Sequence, residues 1–251
     1  DPREDRATVW VVQEKVLKPI EVPREIYRYV MAMGAAEASL AINREQPAVI
    51  ALWLAANFHR EAELGLDVAS GAPAQTNDLT RPRDFPRSIY FARTAGPRYS
   101  QMALGRAVHD RDAVVALGSI AALHVTAGPA TMVEPEAKEG ISLAAALSFP
   151  DILVRIRAAL ALGQALPQEP FRDSREVVPE LASALQLTGQ KVYVVVDPVE
   201  ASREQIAGDL ERGGATVFAA GRFGDAMEAA HRKVSHVDGI FIASDIQQPN
   251  P

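Results

Sequence analysis

The chain has 251 residues, 48% apolar and 23% charged, with a formal net charge of -6, a balance that excludes a mainly disordered or fibrous polypeptide. No apolar run reaches the roughly 18–20 residues a membrane-spanning helix needs, and the absence of cysteine excludes disulfides, thiolate metal sites and a cysteine nucleophile together. Net acidity repels polyanions, so the composition points to protein partners rather than to nucleic acid or acidic lipid.

Residues 8–22 are rich in Val, Trp and Ile and carry Pro19 and Pro23 near their end, which predicts one or two extended segments. The period then changes. Ile26, Val30, Met33, Glu37 and Leu40 recur at three and four residues, the mark of an amphipathic helix. Asn43 to Gln46 makes a turn, Pro47 suits a first helical turn, and 48–64 continues as a second helix containing Trp53 and Phe58. The spaced residues Ala36, Leu40, Asn43, Pro47 and Ala51 across this joint are similar to the junction between tetratricopeptide repeats. Residues 66–98, with Pro73, Pro82, Pro86 and Pro97, read as a long connection holding one short helix near 88–94. Short helical blocks follow at 99–108, 112–126, 140–147, 150–166 and 174–187, each separated from the next by helix breakers.

The run from Leu143 through Leu147, Pro150, Asp151, Val154, Arg155, Ala158, Ala159 and Leu162 to Gly163 resembles a HEAT repeat. In that family a first helix ends in Leu, a Pro or Asp turn follows, and Val-Arg, Ala-Ala and Leu-Gly lie on the second helix. Small Ala159 and Gly163 let helices approach closely, and Arg155 can bond neighbouring carbonyls or carboxylates, a structural task. A looser copy runs from Ala107 through Asp110, Asp112 and Val114 to Leu117, Gly118 and Leu123, with Val115 where an Arg is expected.

At Gly189 the character changes. Lys191 to Asp197 is an apolar run ending in an acid, as in a strand buried on both faces. A helix over 199–212 stopped by Gly213-Gly214, a strand at 216–220, a helix at 223–234 and a strand at 239–243 complete the order βαβαβ, which right-handed crossovers make a parallel sheet. Val195-Val196-Asp197, Arg203, the Gly-Gly stop and Asp245 with Pro249 four residues on resemble the first half of a response-regulator receiver domain, a flavodoxin-like fold. The resemblance implies two acids that hold Mg²⁺ after the first strand and a phosphoacceptor Asp after the third. Only Asp197 is present at the first place, where Pro198 offers no ligand. At the second, counting by strand length selects Ala243 and counting back from Pro249 selects Asp245.

The remaining candidates are set aside. His59, His109, His124, His231 and His236 show no zinc-ligand spacing and read as packing or surface residues. Arg81, Arg83, Arg87, Arg93 and Arg98, interleaved with Phe85, Tyr90, Phe91 and Tyr99, could clamp nucleic acid, but read rather as a loop docking on an acidic face or a protein partner.

The expected fold class is therefore mainly α, an α-α superhelix of HEAT- and tetratricopeptide-like pairs, followed by a partial flavodoxin-like α/β module with a three-stranded parallel sheet. The expected divisions are an extended segment at 1–22, a helical hairpin at 23–66, the Pro/Arg-rich connection at 67–98, the repeats at 99–188 and the incomplete receiver-like module at 189–251. Asp1 and the short tail after the last strand suggest a piece of something longer. The combination resembles bacterial HEAT-repeat proteins with a degenerate receiver-like end, some of them exported, and leaves an exported or a cytoplasmic setting open. It implies a non-catalytic binding or assembly component, with protein subunits as partners and without cofactor, metal, nucleic acid or membrane span. The alternative is a signalling protein phosphorylated at Asp245 with help from Asp197 and Mg²⁺.

Overall fold

A computed structural model describes residues 5–13, 16–74, 76, 78–136, 138, 140–186 and 189–244, the side chains of Gln13 and Gln186 excepted. The expected fold class holds: after an N-terminal pair of strands the chain is helical, and a three-stranded parallel sheet with its helices follows. The chain divides into two compact units, one formed by 1–146 with 161–174 and one by 147–160 with 175–251.

In the first unit, β1 (Arg6–Gln13) and β2 (Val16–Pro23) pair antiparallel. Pro23 then leads into α1 (Arg24–Ile42), where its missing N–H costs no helical bond. Val9 and Val22 of the strands bury against Ile26 and Val30 of α1, so the hairpin and the helix share one apolar cluster. α2 (Pro47–Glu63), with proline in its first turn, packs antiparallel to α1. Trp53 donates to Glu37 at 2.9 Å, and Arg28 pairs with Glu63 at 3.3 Å.

The connection after α2 is pinned from inside. Arg60 pairs with Asp78 at 2.5 Å, and Glu61 accepts from Arg87 at 3.0 Å, all four side chains being buried. Arg87 also donates to the carbonyls of Asp67 and Ala72, at 2.8 and 2.7 Å. Glu61 further accepts the backbone N–H and hydroxyl of Ser88 at 2.6 and 2.7 Å, an anion on the first turn of α3 (Ser88–Ala95).

Gly96, at φ 94°, reverses the chain into α4 (Pro97–Asp110). Arg111, left-handed at φ 57°, ends that helix, and Asp112 caps α5 (Ala113–Thr126) by accepting from Val115 N–H at 3.1 Å. α5 meets α2 closely: a Cβ at Gly118 would lie 2.5 Å from the buried Phe58 ring. Buried Gln101 of α4 donates to Thr131 O and accepts from Glu136 N–H, holding the segment around α6 (Pro129–Val133).

The block expected at 140–147 is a six-residue 3₁₀ turn, Leu143–Ser148, rather than an α-helix. A segment this short satisfies itself with tighter i+3 bonds, as in Ala145 N–H to Ser142 O. α7 (Ile152–Ala165) contributes its first nine residues to the second unit and its last five to the first.

In the second unit Arg155 donates to the carbonyls of Phe149 and Pro150, and to Glu180 of α8 (Val177–Gln186) at 3.0 Å. That is the structural task expected of it. The sheet follows, with β3 (Val192–Val196), β4 (Thr216–Ala220) and β5 (Gly239–Ile242) joined by α9 (Glu200–Arg212) and α10 (Phe223–His231). The spatial order β4-β3-β5, all parallel, is the order in which flavodoxin-like sheets begin and differs from the start of a Rossmann sheet. Val192, Val194 and Val196 bury against Ala226 and Ala230 of α10.

Candidate functional site

Two places gather polar side chains: the carboxyl end of the parallel sheet, and a groove among α1, α2 and α4. At the sheet, the Asp197 carboxylate is taken up locally. Its Oδ1 accepts Val199 N–H at 2.8 Å and the Ser202 hydroxyl donates to it, while Arg203 bonds its backbone carbonyl at 2.7 Å. The Ser202 hydroxyl first, then the Val199 amide, with the Arg203 charge in support, hold its pKa below the ordinary carboxylate value against a small opposing desolvation. These bonds fix the turn that starts α9.

Val196 pairs with Ile242 and accepts the N–H of Ala243 at 2.9 Å, so the register sets Ala243, with its methyl group, opposite Asp197. Asp245 lies outside the described residues. Among the described residues no three His, Asp or Glu side chains gather as a cation site.

The groove has a volume of about 910 Å³ and an apolar floor of Ala32 from α1, Leu52 and Ala55 from α2, and Met102 from α4. On α2 the lining positions 48, 51, 52, 55, 56 and 59 recur at three and four residues, placing them along one stripe. One wall is a built polar tie. His59 Nε2 lies 2.6 Å from Asp112 Oδ2, and the Tyr29 ring stacks on the imidazole at 4.8 Å with an interplanar angle of 3°. Burial opposes the charge of Asp112, but the hydrogen bonds from His59 and Val115 N–H overcome it, and its pKa falls below the ordinary value. Burial raises that of Tyr29, with the Arg28 charge opposing. The mouth carries Arg106, His109 and Asp110, which bond one another. A hydrogen-bonded His–Asp pair can orient an imidazole, yet no Ser or Lys lines this groove, and Tyr29 stacks flat on the ring.

The sequence set His59 aside as a packing residue, and its ties to Tyr29 and Asp112 are of that kind. What the sequence did not disclose is that it lies on a groove wall, because its partners are 30 and 53 residues away. The Arg and aromatic run at 81–99 docks inside its own unit. Arg81 pairs with Glu37 at 2.8 Å and Arg87 with Glu61, Phe85 packs on Phe91, and Phe91 meets Trp53 edge-on. Arg83 and Arg98 remain exposed.

Comparison with protein-family models, with curated proteins and with solved structures finds no match to this chain. Among the described residues, no helix is long and apolar enough to cross a membrane.

Proposed function

We propose that this protein is a non-catalytic interaction or assembly component, built on HEAT- and tetratricopeptide-like helix pairs and carrying a receiver-like module that does not work as a phosphoacceptor. The groove among α1, α2 and α4 carries the reading. Apolar side chains face an opening large enough for a partner's side chains, and exposed Leu52, at 56%, sits on its floor. The polar residues of the wall hold each other, which suits a surface that must keep its shape. The receiver-like end fits the same reading, since the Asp197 carboxylate is taken up in the turn before α9, Pro198 supplies no ligand and Ala243 stands opposite.

The test is capture of partners from the source cell by the tagged chain and by Leu52→Glu, with thermal unfolding as a control for folding. The expected result is loss of the captured partner at unchanged Tm. Equal capture by both proteins contradicts the assignment to this groove.

A further inference from the structure

The β1–β2 hairpin has one protected edge and one open edge. In an antiparallel pair, residues alternate between positions whose N–H and C=O point to the partner strand and positions where they point away. Pro19, opposite Trp10, and Pro23, opposite Arg6, have no N–H to give, which places them at outward-pointing positions. The alternation then sets Leu17 and Glu21 outward on β2, and Thr8, Trp10 and Val12 outward on β1. Two of the four outward donors of β2 are thus removed by proline, the usual way to blunt an edge. β1 has no proline. Among the described residues its only strand neighbour is β2, and no hydrogen bond reaches the outward groups of Thr8, Trp10 or Val12.

The same three residues are exposed in their side chains. Trp10 and Val12 share a face with Leu17 and Pro19, and Trp10, Val12 and Leu17 are 61%, 73% and 57% exposed. The opposite face is covered by α1 through Val9, Val22, Ile26 and Val30. Two strands make a marginal sheet, and an edge rich in Thr, Val and Trp without charge between Arg6 and Gln13 invites another strand.

We infer that β1 is a strand-addition edge whose occupant is β1 of a second copy of this chain, giving a four-stranded antiparallel sheet in the order β2-β1-β1-β2. β1 is itself what its edge requires: extended, free of proline, and bearing outward N–H and C=O groups at every second residue. A twofold axis at Trp10 sets Trp10 against the second copy's Trp10 and Thr8 against its Val12, three pairs that each exchange two main-chain bonds. The exposed faces then merge into one apolar strip.

The covered face fits as well. Hairpin centres in such a sheet lie two strand spacings apart, about 9.6 Å. This is within the roughly 8–10 Å at which packed helices sit, so α1 of each copy finds room beside the other. Tyr27 and Met31, 37% and 47% exposed, lie on the flank of α1 away from the groove residues Tyr29 and Ala32, and are available to that contact.

The experiment is light scattering on the full chain from about 1 to about 100 µM, with hydrogen exchange at both ends of that range. The expected result is a mass rising to twice 27.0 kDa, with amide exchange at Thr8, Trp10 and Val12 slowing at least tenfold as it rises. Thr8→Pro removes only an outward donor and keeps the chain at its single mass with unchanged circular dichroism. Trp10→Lys does the same by setting like charges across the axis, and covers the case in which the proline variant fails to fold. A single mass at 100 µM, a dimer whose three amides exchange independently of concentration, or a dimer that survives both substitutions overturns the inference.

Discussion

The two units each hold a segment whose burial departs from its composition, in different directions. In the helical unit, charged side chains go inside: Arg60, Glu61, Asp78 and Arg87 are all less than a tenth exposed and pair among themselves, tying the connection at 67–87 to α2. In the sheet unit, one apolar strand stays half outside: β3 is almost wholly buried, while Ile240, Phe241 and Ile242 of β5 are 44%, 44% and 52% exposed. A segment's composition therefore says less about its stability than what covers it. A long Pro-rich connection becomes part of the core when buried ion pairs hold it, and a strand of near-continuous apolar residues stays half exposed where none of the described residues covers it.

Breaking the internal pairs should produce the largest effects. Removing one partner of a buried pair leaves an uncompensated charge, so Asp78→Ala or Glu61→Ala should lower the stability of the helical unit by about 3–5 kcal/mol, read by urea unfolding. The same pair gives a pH signature. Burial pushes the Asp78 pKa up, but bonds from Thr80 and Arg60 and the Arg60 charge more than offset this and hold it below the ordinary value. A depressed folded pKa contributes stability above the unfolded value, near 3.9, that is lost as pH falls through the folded one. Acid titration of stability should thus slope downward below about pH 4, and Asp78→Asn should flatten the slope. An unchanged slope would show the pair to be idle.

Gly118→Ala should come next, at about 1–3 kcal/mol, because its methyl group would have to displace the Phe58 ring. Asp197→Ala should lower the unfolding midpoint of the sheet unit by less than Gly118→Ala lowers that of the helical unit, through the lost turn bonds to Val199 and Ser202. Exposure to acetyl phosphate and Mg²⁺ should leave the intact mass of wild type unchanged; gain of one phosphate, abolished by Asp245→Ala, would overturn the reading of the module as inactive. The smallest effect expected is a gain. Arg111→Gly relieves a left-handed residue at the end of α4 and should stabilise by up to about 1 kcal/mol.

Much of the fold was legible because periodicity survives into structure. The apolar spacing of 26, 30 and 33 is the buried stripe of α1, and the run at 192–196 is the central strand. The extended character of 8–22 was legible too, but not its pairing faces, since Val and Trp alternate with Val rather than with polar residues and give no two-residue signal. The pinned connection was hidden, because Arg60 and Asp78 are 18 residues apart and Glu61 and Arg87 are 26 apart, beyond any local pattern. Proline marked it correctly as a non-repetitive segment and said nothing about whether it was held. The groove was hidden for the same reason, being built from three helices whose small residues look like ordinary packing.

The most direct measurement places a photo-crosslinking residue at Leu52, on the groove floor, and in a second protein at Val178 of α8, which is 72% exposed, and compares the partners captured in the source cell. The account predicts a discrete adduct from position 52, lost when Ala55 is also changed to Arg, and none in common with position 178. The same adducts from both positions, or an adduct at 52 indifferent to Ala55→Arg, would contradict it.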